Sequence, residues 1–314
     1  MNRVQRFPKA TTTLRSTRNT FRFYNTDSLE FFRDISPGSV DVIVTSPPYN
    51  LGIPYSSYKD TLPEKSYLKW TDAWVHEASR ALSKQGSLFL NVGNKPTQPW
   101  TAFDVAAEAR RYLNLQNTIH WIKSIAIDKE LTSAQVDLER DLAVGHYKPI
   151  NSDRFLNDCH EFIFHFTPTG RTLLDRQAIG VPYQVSSNIT RWKATGSGVR
   201  CRGNTWFIPY KTIQNRERDR PHPATFPPLL PIYCLKLHGL KRARLVIDPF
   251  MGLGSTAVAC AELGIDFIGI EMDRAYLDKA VERVRETLKK KPKRPLARAQ
   301  KGHKSESKEV IESN

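Results

Sequence analysis

The sequence predicts an α/β fold built around an open, largely parallel sheet, and three observations carry that expectation. A short run, Val40–Val44, stops abruptly in Thr45-Ser46-Pro47-Pro48-Tyr49-Asn50. A second run, Ala243–Ile247, leads into Asp248-Pro249-Phe250-Met251-Gly252-Leu253-Gly254-Ser255-Thr256 and then into the helical stretch Ala257–Ala261. A third, Phe267–Ile270, ends in Glu271. Short apolar runs closed by turn formers read as buried strands. Strand, glycine turn and helix together form the layout of a nucleotide-binding βα unit.

The remaining elements follow in chain order. Phe21–Tyr24 reads as a strand, and Asp27 suits the N-cap of a helix over Leu29–Arg33. Tyr67–Leu82 has Leu68, Trp70, Trp74 and Ala78 at helical spacing. Ser87–Asn91 reads as a strand with Gly93-Asn94-Lys95 as its loop, and Phe103–Tyr112 as a helix. Leu115–Ile122 and Glu161–Phe166 read as strands, and the stretch between them, 124–158, is too polar for core. Trp206-Phe207-Ile208-Pro209 reads as a strand that packs its segment onto the main domain. Leu229–Leu237 and Tyr276–Val284 read as helices.

Chemistry concentrates in two places. Open α/β sheets bind ligands beyond the carboxyl ends of their strands. Ser46-Pro47-Pro48-Tyr49 puts a small acceptor, a backbone carbonyl and an aromatic face there, which together suit a planar amine. Pro-Pro is also an ordinary strand terminator, so the motif gains its weight from the second site. There Gly252 and Gly254 let the backbone turn sharply and approach a ligand, and Glu271 sits where a carboxylate accepts both hydroxyls of a ribose. Gly-Leu-Gly-Ser-Thr-Ala also fits the loose dinucleotide pattern. Asp248, however, would repel a pyrophosphate and suits an ammonium group, and too little chain follows for a second mononucleotide half. An ammonium beside a ribose points to S-adenosyl-L-methionine.

On these residues the chain resembles the DNA amino-methyltransferases that modify cytosine N4 or adenine N6. With the catalytic motif first and the cofactor motif last, it resembles their permuted β-class over residues 21 to 287. The resemblance implies a Rossmann-like, S-adenosylmethionine-dependent methyltransferase fold, circularly permuted, with an inserted target-recognition region. The implied divisions are a basic arm (1–20), a catalytic part (21–166), a target-recognition region (167–220), a cofactor part (221–288) and a basic tail (289–314). Ser46, Pro47, Pro48 and Tyr49 would hold the target amine. Asp248, Phe250, Gly252, Gly254, Ser255, Thr256 and Glu271 would hold the cofactor. Asp27 would receive its adenine amine, beside or instead of capping a helix. The strand Phe21–Tyr24 must then complete the sheet next to the Glu271 strand, because the apolar sequence runs out after the last helix. Residues 144–158 fit a lid over the target base as well as they fit a surface loop, and His222 fits a helix-entry or cofactor-wall role.

In the resembling family, Ser at the first motif position goes mostly with cytosine N4 and Asp with adenine N6. The expected activity is therefore methylation of cytosine N4 in a base flipped out of the duplex, with adenine N6 as the alternative. Two rivals from other classes are an RNA or protein amino-methyltransferase, which usually places the cofactor motif first, and a non-catalytic DNA-binding protein with a vestigial cofactor fold. The partners implied are double-stranded DNA, a restriction endonuclease acting on the same site and, as often in the β-class, a second copy of the chain.

Composition agrees. The 314 residues carry a net charge of +15, and the excess is segregated. Residues 1–22 hold six Lys/Arg and no acid, 289–304 hold eight and no acid, and 191–220 hold eight against Glu217 and Asp219. Charge external to the predicted core fits a phosphate footprint. Arg191, Lys193, Arg200 and Arg202, interleaved with Trp192 and Trp206, are the expected DNA contacts. The tail beyond 289 reads as disordered, with nonspecific DNA contact at most. Cys159, Cys201, Cys234 and Cys260 show neither metal-ligand spacing nor a preceding proline, so a metal and a Pro-Cys nucleophile are not expected, and packing is their expected role. No apolar run reaches the roughly 20 residues of a membrane span, and the N-terminal residues carry no hydrophobic signal region, so the expected location is cytoplasmic.

Overall fold

The computed structural model describes residues 7–53, 58–132, 138–145, 151–183, 198–209 and 225–290. Its strands are β1 (Thr12–Arg15), β2 (Thr20–Tyr24), β3 (Val40–Thr45), β4 (Leu82–Val92), β5 (Asn114–Ile122), β6 (Ser124–Ile127), β7 (Leu142–Gly145), β8 (His160–Thr167), β9 (Val181–Pro182), β10 (Val199–Arg200), β11 (Thr205–Phe207), β12 (Leu245–Asp248) and β13 (Asp266–Ile270). The helices are α1 (Ser28–Arg33), α2 (Glu64–Ala81), α3 (Thr101–Arg110), α4 (Lys129–Thr132), α5 (Leu229–His238), α6 (Ser255–Leu263) and α7 (Arg274–Lys289).

Nine strands form one sheet in the order β1-β2-β13-β12-β3-β4-β8-β5-β11. From β2 to β4 all neighbours run parallel. β8 runs antiparallel between β4 and β5, and β1 runs antiparallel at the far edge. The expected permutation is present, since β2 pairs parallel with β13 and sets Phe21 opposite Phe267 and Tyr24 opposite Ile270. The order reverses between β12 and β3. From β12 the chain crosses over α6 to β13 on one side, and from β3 it crosses over α2 to β4 on the other. Such a switch point leaves a crevice at the carboxyl ends of the two strands.

Alternation along each strand builds two cores. Ile43, Leu88, Leu90, Phe164, Ile247 and Ile268 face α1, α2 and α3, whose Phe32, Trp74, Ala78 and Val105 are fully buried. Val42, Val44, Phe89, Val246 and Phe267 face α5, α6 and α7 through Leu230, Cys234, Ala257 and Leu277. Asp27 caps α1 by accepting from the Leu29 and Glu30 N–H groups. Among the described residues no helix is long and apolar enough to cross a membrane.

Within 124–158, which the sequence reads as too polar for core, β6 and β7 form an antiparallel ladder with Ser124 opposite Gly145 and Ile127 opposite Leu142. Ser124-Ile125-Ala126-Ile127 and Leu142-Ala143-Val144-Gly145 are apolar in composition but only four residues long and largely exposed, too short for a pattern to announce them. One expectation needs correction. Packing does not describe Cys201, which is exposed, whereas Cys234 and Cys260 are buried. Trp206 does anchor its segment to the domain. β11 extends the sheet beside β5, Trp206 is fully buried, and its indole N–H donates to the Gly203 carbonyl.

Trp206→Ala should cost about 3–5 kcal/mol of unfolding free energy, the usual penalty for a buried tryptophan. Urea denaturation followed by circular dichroism measures it. A loss below about 1 kcal/mol would show that β11 is not part of the cooperative sheet.

Candidate active site

A cleft opens at the switch point. Its walls come from both ends of the chain: Ser46, Pro47 and Tyr49 after β3, and Phe250, Gly252, Ser255 and Glu271 around the glycine turn and after β13. The sheet order alone brings these two groups together. Thr225 and Phe226, Pro249 and Met251 of the glycine turn, and Ile270 also line the cleft, as do Ser28, Tyr58, Met272 and Tyr276, which were not anticipated as site residues.

The glycine turn is shaped by two residues in the left-handed region, Gly252 at φ 52° and Gly254 at φ 72°. A Cβ on Gly254 would come within 2.8 Å of the Ala280 Cβ, so glycine there also lets α6 approach α7. Glu271 braces the turn, accepting from the Gly252 N–H at 2.8 Å and the Asp273 N–H at 2.9 Å. Burial pushes its carboxyl above the usual range, against the pull of those two N–H groups. A carboxylate has about four acceptor sites, so Glu271 keeps capacity for a hydroxyl pair in the cleft.

Asp248 is engaged within the protein. It is 1% exposed and lies beneath the residues that line the cleft. One carboxylate oxygen accepts from Thr45 Oγ1 at 2.8 Å and from the Phe250 N–H at 3.2 Å, and the other accepts from Thr256 Oγ1 at 2.7 Å. This makes Asp248 a clamp between β3 and α6. Thr256 is likewise a partner of Asp248 and not a lining residue. Gly254 acts through backbone shape alone. Asp27 caps α1 and leaves its neighbour Ser28 to face the cleft. Pro48 points its carbonyl at the Tyr67 hydroxyl, 2.9 Å away.

The loop after the motif is tied down. Asn50 takes a positive φ of 58°. The buried Asp60 carboxylate accepts from the N–H groups of Asn50, Leu51 and Ile53 at 2.7, 3.1 and 2.9 Å. The Asn50 amide exchanges two hydrogen bonds with the Leu62 backbone. Burial raises Asp60 despite these N–H groups, and burial with the charge of Asp60 pushes Tyr58 up to about 12.

A polar cluster adjoins the motif. Ser46 Oγ and the Tyr49 hydroxyl lie 2.5 Å apart, and the Tyr49 hydroxyl donates to Glu161 Oε2 at 3.2 Å. Asn91 Nδ2 donates to Tyr49 at 2.7 Å and to Glu161 at 2.6 Å, and Lys123 pairs with Glu161 Oε1 at 3.1 Å. Sequence reasoning missed Asn91, Lys123 and Glu161. A signal existed, since each stands at an end of a predicted strand, but which ends share an edge depends on the antiparallel entry of β8.

Of the expected DNA contacts, Arg191 and Lys193 lie outside the described residues, as do His222 and residues 146–150. Arg200 is exposed on β10. Arg202 is turned to internal use: its Nε donates to the Ile179 carbonyl at 2.9 Å, and its guanidinium lies 4.9 Å from the Tyr233 ring centre.

A sheet of this order, with a glycine turn, a strand-end acid and Ser-Pro-Pro-Tyr sharing one cleft, defines a Rossmann-like methyltransferase. The DNA methylase family, which takes in the N6 and N4 enzymes, matches residues 40–282, and the chain belongs to it. The Type II methyltransferase M.Cfr9I of Citrobacter freundii is 30% identical over 275 residues, covering 82% of this chain and 85% of that one. Among solved structures, the cytosine-N4-specific PvuII DNA methyltransferase superposes with a TM-score of 0.58 at 16% identity, covering 85% of this chain and 91% of that chain. A DNA modification methylase of Thermus thermophilus, solved with S-adenosyl-L-methionine, gives a TM-score of 0.55 at 20% identity, covering 86% of this chain and 95% of that chain.

Burial raises the Asp248 carboxyl from 3.8 to about 6, while the hydrogen bonds from Thr256, Thr45 and the Phe250 N–H work the other way. An acid whose folded pKa lies above its unfolded value binds its proton more tightly when folded. The stability it lends is therefore greatest at acid pH and is lost as pH rises through the folded pKa. Relative to Asp248→Asn, which does not titrate, wild-type stability should fall by up to about 3 kcal/mol between about pH 4 and pH 7. Urea unfolding of both proteins at the two pH values tests this, and a constant difference would refute it.

Proposed function

We propose that the chain methylates the exocyclic N4 of a cytosine extruded from double-stranded DNA, with S-adenosyl-L-methionine as methyl donor. The observation that carries this reading is the meeting of Ser46, Pro47 and Tyr49 with the glycine turn and Glu271 in one cleft. An amine and a cofactor held there lie side by side.

The residues fit such a donor. Glu271 has spare acceptor capacity for ribose hydroxyls. Ile270, Met272, Tyr276 and Ser28 form a mostly apolar recess beside it that suits an adenine ring. Phe250, Gly252 and Ser255, with Thr225 and Phe226 opposite, flank the space left for the methionine part. When bound, the cofactor supplies a sulfonium methyl as electrophile.

The protein does the positioning. A base cannot present its amine while stacked, so it must leave the duplex. Tyr49 offers a face for the extruded ring. Ser46 Oγ and the Pro47 carbonyl accept the two amine hydrogens, which draws the nitrogen lone pair out of conjugation and aims it across the cleft. Orientation of this kind is the main catalytic contribution. Serine is too weak a base to deprotonate a neutral amine first, so the proton leaves after transfer, when the methylated nitrogen is strongly acidic. Ser46 is the residue that favours cytosine over adenine, whose amine has the same geometry. Arg200, exposed on β10, is available for phosphate contact, and an endonuclease cutting the same sequence is the partner this reading implies.

Incubation with mixed-sequence DNA and labelled cofactor, then nucleoside mass spectrometry, should give N4-methyl-2′-deoxycytidine. N6-methyl-2′-deoxyadenosine as sole product would overturn the base assignment. Ser46→Ala should lower turnover by about 10²–10³-fold, as loss of a transition-state hydrogen bond does, with cofactor affinity from calorimetry little changed. Retained turnover would remove Ser46 from its role.

A further inference from the structure

Glu161 has no part in the chemistry described so far, yet it closes a chain of hydroxyls that ends at Ser46. Its carboxylate is largely shielded, with 14% of the side chain exposed, and so is the ammonium of its partner Lys123, at 16%. Charges this poorly hydrated are seldom kept without a partner or a task.

The Ser46–Tyr49 contact taken by itself allows either polarity, and one arrangement of donors and acceptors also makes use of the Tyr49–Glu161 contact. Carboxylate oxygens only accept, so the single proton of the Tyr49 hydroxyl goes to Glu161 Oε2. Tyr49 oxygen is then an acceptor for its other neighbours. Asn91 Nδ2 gives it one hydrogen at 2.7 Å and gives Glu161 the other at 2.6 Å. The 2.5 Å contact between Ser46 and Tyr49 is left with only one polarity, in which Ser46 donates to Tyr49. A serine hydroxyl that has spent its hydrogen on Tyr49 presents lone pairs to the cleft.

We propose that Glu161 is a positioning residue that fixes the direction of this chain, so that Ser46 meets the target amine as an acceptor and never as a competing donor. The inference rests on the reading of Ser46 as amine acceptor. Lys123 enforces the arrangement from the other end. Its ammonium requires an oxygen at 3.1 Å, so it holds Glu161 Oε1 and leaves Oε2 to Tyr49 and Asn91. The negative charge two hydroxyls away also strengthens Ser46 as an acceptor while positive charge grows on the attacked nitrogen.

Glu161→Gln tests the direction with little change of shape. Lys123 will claim the amide oxygen, the amide nitrogen will donate to Tyr49, and Tyr49 will turn its proton onto Ser46. Tyr49→Phe cuts the same chain while keeping the ring. Under single-turnover conditions each variant should lose roughly 10- to 100-fold in rate, less than the ~10²–10³-fold lost with a direct oxyanion-type donor because these residues act through Ser46. Cofactor and DNA dissociation constants should stay within about twofold, so that kcat falls and KM does not. The double variant should be no slower than the slower single one, because both break one unit.

A Glu161→Gln rate within about twofold of wild type, or a double variant whose losses multiply, would overturn the proposal. If Glu161→Gln does not fold, as thermal unfolding will show, Lys123→Met gives the second test: with nothing to hold Oε1, the rate must fall while binding persists, and an unchanged rate refutes the inference. Ser46→Ala separates the two levels. An active Ser46→Ala removes the underlying reading. An inactive one, combined with multiplying Tyr49 and Glu161 losses, removes only the inference.

Discussion

The Asp248 clamp holds the site together. Three donors converge on one buried carboxylate: Thr45 at the end of β3, Thr256 in the first turn of α6 and the Phe250 N–H in the turn between. Thr45 immediately precedes Ser46, so the clamp fixes where the Ser-Pro-Pro-Tyr segment leaves the sheet. Thr256 follows the glycine turn, so the same carboxylate fixes the cofactor half. Partial neutralisation is built into the arrangement, since burial lifts the carboxyl toward neutral pH while three donors favour its charge. A buried, fully bonded carboxylate is rigid in a way that an exposed one is not. The two halves of the cleft are thereby set at one fixed separation.

A second buried carboxylate, Asp60, acts on the outer side of the same segment. It gathers the N–H groups of Asn50, Leu51 and Ile53, and the Asn50 amide locks onto Leu62. Two prolines restrict the motif from within, and two aspartates restrain it from either end. The catalytic term assigned to this segment is orientation, and orientation is effective only when the donors and acceptors are held before the ligand arrives.

Much of this was legible in the sequence. Strand-ending motifs gave the edge of the sheet that binds, and the order of the motifs gave the permutation, with Phe21–Tyr24 beside Phe267–Ile270. The sequence did not distinguish ligand contacts from their supports. Asp248, Thr256 and Gly254 carry the glycine-turn pattern, but a pattern does not say which carboxylate is covered by its own neighbours. Asn91 and Glu161 were unreadable for another reason. Asn91 ends a parallel strand and Glu161 begins an antiparallel one, and these share an edge only because β8 enters the sheet backwards. The ladder of β6 and β7 is built from two four-residue strands, too short for a pattern to announce them.

The insertion of β12 and β13 between β2 and β3 has a consequence for how the chain comes off the ribosome. β2 and β3 emerge early, with two places left vacant between them in the final order, and the strands that fill those places are made more than two hundred residues later. Until then Phe21, Phe23, Val42 and Val44 lie on strands with open edges, the condition that favours mispairing with other chains. The Ser-Pro-Pro-Tyr segment therefore exists long before the glycine turn that shares its cleft, and closure of the sheet centre is the event that brings the two walls together.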